Sequence, residues 1–79
     1  MSRKMKYVMT KDGFPILFSE AQNHIEFRHF NPSSAGFCDV NYNDDTSFFE
    51  VDCYGESIGL KMGIDSKDKQ YIEMLFNHY

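Results

Sequence analysis

The sequence predicts an α+β fold: a mostly antiparallel five-stranded sheet, elements in the order β-β-α-β-β-β-α, with a C-terminal helix packed on one face. Three observations predict it. An Asp-Gly pair at Asp12-Gly13 lies between two short apolar runs, a hairpin signature. Between Phe37 and Met62, apolar and polar residues alternate over strand-length stretches broken by turn chemistry. Beyond Asp65, apolar residues recur at helical spacing.

Met5 to Met9 reads as a first strand and Lys11-Asp12-Gly13-Phe14 as a type I′ turn. Pairing Lys11 with Phe14 sets Met9 against Ile16, Val8 against Leu17 and Tyr7 against Phe18. Pro15 has no N–H for a ladder, so it belongs at an edge or a bulge. Ser19-Glu20-Ala21-Gln22 matches a capping box, and a short helix is expected from Glu20 to His24. After it the pattern is double: Ile25 and Phe27 alternate like a strand, whereas Ala21, Ile25 and Arg28 suit a helix. Asn31-Pro32 ends either one, because proline pushes its predecessor out of the α region.

In the central stretch, Cys38, Val40 and Tyr42 alternate with Phe37, Asp39 and Asn41, and the polar loop 43–47 leads to Phe48. Tyr54-Gly55-Glu56-Ser57 places glycine where a type II′ turn needs positive φ. A hairpin there opposes Cys53 with Ile58, Val51 with Leu60 and Phe49 with Met62. It also opposes Asp52 with Gly59 and Glu50 with Lys61, an ion pair of useful sign. The expected buried face is Cys38, Val40, Tyr42, Phe49, Val51, Cys53, Ile58, Leu60 and Met62. The other face carries Phe37, Phe48, Tyr54, Asp39, Glu50, Asp52 and Lys61. The last helix is capped by Asp65 or Ser66, has Asp68 in its first turn and His78 near its end, and presents Ile72, Leu75, Phe76 and Tyr79 as an apolar stripe flanked by Tyr71 and Met74.

Residues 1–79 form a single domain, near the lower size at which one core suffices. Eight Phe and five Tyr make that core dense for its length, and a homodimer is one route to further stability. The net charge of −4 argues against nucleic acid as a partner, since a phosphate backbone calls for a basic stripe. The basic residues Arg3, Lys4 and Lys6 form only a short cluster. Met1-Ser2-Arg3-Lys4 leads into no apolar signal segment, and no run approaches membrane-spanning length, so a cytoplasmic protein without membrane contact is expected. In that reducing setting Cys38 and Cys53 are expected as packed free thiols; a disulfide would require them to be directly opposed.

No motif points to catalysis. The three histidines and two cysteines lack metal-site spacing, and no Cys-x-x-Cys pair exists, so no metal or cofactor is expected. Gly55-Glu56-Ser57-Ile58-Gly59 and Ser33-Ser34-Ala35-Gly36 hold glycine or serine but precede no helix, unlike a phosphate loop. The best functional lead is a mixed aromatic and acidic sheet face, Phe37, Asp39, Phe48, Glu50, Asp52 and Tyr54, unless the helix or the first hairpin covers its rings. Left open, it reads as a protein-binding surface with aromatic anchors.

Several short pieces carry a resemblance: Pro15-Ile16-Leu17-Phe18 with His24 after it, Ser34-Ala35-Gly36-Phe37, and Cys53-Tyr54-Gly55-Glu56-Ser57-Ile58-Gly59-Leu60 with Asp68 and Ile72 downstream. In these the chain resembles a family of small uncharacterised proteins of bacteriophages and bacterial genomes. The resemblance implies a phage or mobile-element context and a host cytoplasm, and carries over no functional residue. The expected function is that of a non-enzymatic binding protein acting on a protein partner, such as a basic surface of a host defence complex. The alternative is a nucleotide-like small-ligand binder, working as a homo-oligomer through His24, Ser34, Gly36, Tyr54 and Ser57.

Overall fold

The computed structural model describes residues 2–77. Strands β1 (Ser2–Met9) and β2 (Pro15–Phe18) precede a 3₁₀ helix (His24–Phe30). Strands β3 (Ser34–Asn43) and β4 (Phe48–Tyr54), a ribbon of β5 (Glu56–Ser57) and β6 (Met62–Gly63), and helix α1 (Asp68–Asn77) follow. The fold is α+β, but the sheet has four strands, ordered β2-β1-β3-β4, and β5–β6 stands apart from it. The expected fifth strand is not there.

The first hairpin forms one residue out of the expected register. Val8 faces Ile16, Tyr7 faces Leu17 and Lys6 faces Phe18. Thr10, not Lys11, closes the loop: its N–H donates to the Phe14 carbonyl at 3.1 Å, and its hydroxyl accepts the Phe14 N–H at 3.0 Å. Three loop residues then remain, the last of them Gly13 at φ 80°. That is the pattern of a three-residue hairpin with a left-handed glycine. Pro15 lies in β2, an edge strand, where its missing N–H is tolerated.

Ser19 starts a turn rather than a helix, its hydroxyl accepting the Ala21 N–H at 3.1 Å. The helix begins four residues later with Asn23 as N-cap, and Glu26 reaches back to the Asn23 N–H at 2.7 Å. It is a 3₁₀ helix, closed by Asn31 at φ 52° just before Pro32.

The hairpin expected at Gly55 is overturned. Gly55 has φ 75°, and a Cβ there would stand 2.9 Å from Phe37 Cδ1. The Phe37 ring lies against this bare α-carbon, and the chain leaves the sheet. Ile58 and Leu60 fall in a turn instead of a strand: Ser57 Oγ accepts the Leu60 N–H at 3.2 Å, and Lys61 adopts φ 55°. The pairs Cys53–Ile58, Val51–Leu60 and Phe49–Met62, and Glu50–Lys61 with them, do not form. The sheet partners of β4 lie in β3, where Cys38 faces Cys53, Val40 faces Val51 and Tyr42 faces Phe49.

Two apolar layers follow. On one face, Tyr7, Met9, Cys38, Val40 and Val51 enclose Ile72 of α1, with Met5, Leu17, Phe49, Cys53 and Phe76 around them. On the other, Val8, Phe18 and Ala35 are covered by Phe27 of the 3₁₀ helix and by Leu60 and Met62 of the ribbon. The helix start has the expected cap: Asp65 Oδ1 accepts the Lys67 N–H and Asp68 Oδ2 the Asp65 N–H, both at 2.9 Å. Ile72 is fully buried and Phe76 half-buried, while Leu75, Tyr71 and Met74 stay exposed. His78 and Tyr79 lie outside the described residues.

Candidate functional site

The register of β3 and β4 gathers all six residues of the aromatic and acidic lead on one face, opposite α1. Phe37 faces Tyr54, Asp39 faces Asp52, Glu50 faces Asn41 and Phe48 faces Asn43. The Phe37 and Tyr54 rings stack with centroids 5.8 Å apart and planes at 18°. Phe48 is 47% exposed and Tyr54 40%; Glu50 and Asp52 are exposed, and Phe37 and Asp39 half-buried. Helix α1 packs on the opposite face and does not cover the Phe37–Tyr54 pair. One ring is partly sheltered by the 3₁₀ helix, where His24 meets Phe37 edge-on at 5.5 Å.

With Lys61 drawn away into the ribbon turn, Glu50 loses the ion pair expected for it, and Asp39 and Asp52 face each other across β3 and β4. Directly opposed like charges cost stability in a sheet. Asp39 Oδ1 is closed off from solvent and accepts no hydrogen bond. Lys4 stands opposite Asp39 on the β1 side, and Asn43 donates to Glu50 at 3.1 Å. Negative charge is concentrated on β3 and β4 and lies beside a stacked aromatic pair.

The chain matches no family model, no curated protein and no solved structure. Its site therefore has to be read from its own geometry.

The residues of the small-ligand alternative are separated. His24 and Ser57 line one cleft with Lys6, Phe37 and Glu56. Gly36 is outside its lining and meets His24 Nε2 through its carbonyl at 2.8 Å, and Tyr54 lies on the acidic face. Ser34 points to the α1 side, where its hydroxyl donates to Asp68 at 2.8 Å.

That bond belongs to a cluster that sequence reasoning missed. Asp68, 1% exposed, also accepts the Tyr7 hydroxyl at 2.6 Å. One carboxylate thus joins β1, β3 and the start of α1. Burial, reinforced by the bond to Asp68, pushes the Tyr7 phenol far above its usual range. Only the Ser/Asp capping pattern before α1 hinted at a role for Asp68, and that hint concerned the helix alone.

Cys38 and Cys53 are directly opposed and both are free thiols. Burial raises Cys38 to about 12 and Cys53 to about 11, the latter with the Tyr7 hydroxyl working in the opposite direction. Both stay protonated at neutral pH, which makes them poor nucleophiles. His24 packs on the opposite layer of the sheet, against Phe18 and Phe37. Among the described residues, no three His, Cys, Asp or Glu side chains gather as a metal site.

Proposed function

We propose that this chain is a non-enzymatic binding protein that docks the β3–β4 face on a basic protein surface. The observation that carries the reading is the opposed pair Asp39 and Asp52 beside the stacked rings of Phe37 and Tyr54. In the free protein the pair repels; a cationic partner turns that repulsion into attraction, while Tyr54 and Phe48 supply apolar anchoring area. The resemblance of its short motifs to small phage and bacterial proteins favours a host protein as the partner, such as a basic surface of a defence complex.

The test uses immobilised wild type, Asp52→Lys and, as a surface control, Glu20→Lys, in a pull-down from bacterial lysate. A partner held by wild type and Glu20→Lys but lost from Asp52→Lys is the expected outcome. Equal retention by all three would remove this face from consideration. A second readout needs no partner: relief of the repulsion in Asp52→Asn should raise the melting temperature by roughly 2–4 °C. An unchanged or lower value would mean that the pair is not under strain.

A further inference from the structure

Two polar side chains that are more than nine-tenths buried, His24 (7% exposed) and Ser57 (2%), line the cleft between β1, the 3₁₀ helix and the ribbon. His24 Nε2 lies 2.8 Å from the Gly36 carbonyl. A carbonyl only accepts, so the neutral ring carries its proton on Nε2 and keeps Nδ1 as an acceptor. Ser57 Oγ accepts the Leu60 N–H at 3.2 Å, which leaves its own O–H to donate. Lys6 brings an ammonium anchored on the Gln22 carbonyl at 2.8 Å, with two further N–H donors. Glu56 also lines the cleft, and Ile25, Phe37 and Ile58 supply apolar walls.

The cleft thus has one basic and one acidic residue in its lining, among polar and apolar neighbours. Its volume of about 320 Å³ is at the small end for ligand sites, the scale of a metabolite and not of a folded partner. A nucleoside phosphate, with close to two negative charges, would set Glu56 against the same ligand that Lys6 attracts. A zwitterion satisfies both.

We propose that this cleft binds a free α-amino acid with an apolar side chain. The carboxylate sits on Lys6 and Ser57, the ammonium on Glu56 and His24 Nδ1, and the side chain against Ile25 and Ile58. This site does not rest on the docking reading of the β3–β4 face, with which it shares the Phe37 ring.

Titration calorimetry with L-leucine and L-phenylalanine tests it. Expected are dissociation constants of roughly 0.1–1 mM. N-acetyl-L-leucine, which lacks the ammonium, and L-leucinamide, which lacks the carboxylate, should each bind at least about tenfold more weakly. Lys6→Met and Glu56→Gln should each lose a similar factor while melting like the wild type. Should Lys6→Met unfold, the two blocked ligands still decide the point. Heat from neither amino acid at about 10 mM, equal affinity for the blocked forms, or tighter binding of 5′-AMP than of L-leucine would each overturn the proposal.

Discussion

At the scale of single residues, Asp68 is the most consequential side chain of the protein. It takes hydrogen bonds from Tyr7, Ser34 and the Asp65 backbone while almost wholly buried. Asp68→Ala would leave two buried hydroxyls without their acceptor, at a cost of about 3 kcal/mol. In a domain of this size that lowers the melting temperature by roughly 10–25 °C. Asp68→Asn keeps one carbonyl acceptor and should cost less than half as much. A loss below about 4 °C for Asp68→Ala would show that the three-way junction is incidental to stability.

The thiols give a pH dependence of known sign. Burial raises the folded-state value for Cys38 from 9.0 to about 12. The folded protein therefore holds a proton that the unfolded chain releases. Its contribution is complete below pH 9 and is lost as pH rises towards 12, at up to roughly 1.4 kcal/mol per pH unit. Cys53 acts in the same direction up to about 11, with less weight because it is half-buried. Urea melts between about pH 8 and 11, compared for wild type and Cys38→Ala, should show a shallower fall for the variant above about pH 9. Parallel slopes would rule out Cys38 as the origin.

At the scale of elements, the interplay of α1 and β4 is the feature with the clearest consequence. Asn77 accepts the Phe49 N–H at 2.7 Å and donates to the Phe49 carbonyl at 3.0 Å, and Glu73 accepts the Val51 N–H at 3.0 Å. These are outward-facing groups of an edge strand, which unprotected would invite pairing with another chain. The double variant Glu73→Ala/Asn77→Ala should speed amide exchange at Phe49 and Val51 by about tenfold or more, without comparable change at Val8. Unaltered exchange at both edge amides would mean that the helix covers them by packing alone.

The same scale shows what the sequence made legible. Strands β3 and β4 and helix α1 follow from alternation and from helical spacing, because each pattern has one burial solution. The face of Phe37, Asp39, Phe48, Glu50, Asp52 and Tyr54 followed from the period of two alone. The register of the first hairpin was missed because the Thr10 hydroxyl lengthens the loop by one residue. The third strand of the meander was expected and does not form, for a different reason. Ile58, Leu60 and Met62 alternate as a strand does, but Leu60 and Met62 are apolar for the sake of Val8, Phe18 and Ala35, on the side of the sheet away from α1. Asp68 was legible as a cap and not as a junction, since its partners Tyr7 and Ser34 lie far from it in the chain.

At the scale of the whole molecule, the sheet divides the protein into two unlike sides. One is a packed layer under α1; the other carries the ribbon, the 3₁₀ helix, a small cleft and the acidic face. The proposed protein contact and the proposed amino-acid site share this second side, joined through Phe37, which stacks on Tyr54 and also lines the cleft.

Both edges of the sheet are also partly guarded against growth. At one, the side chains of α1 occupy the backbone of β4; at the other, β2 is four residues long and begins with a proline. An extended peptide joining the β4 edge would have to displace Glu73 and Asn77, which disfavours strand addition there. Whatever meets the acidic face must read side chains and not backbone. On the proposed docking reading, a folded surface with its cations already in place suits this face better than an unstructured basic tail.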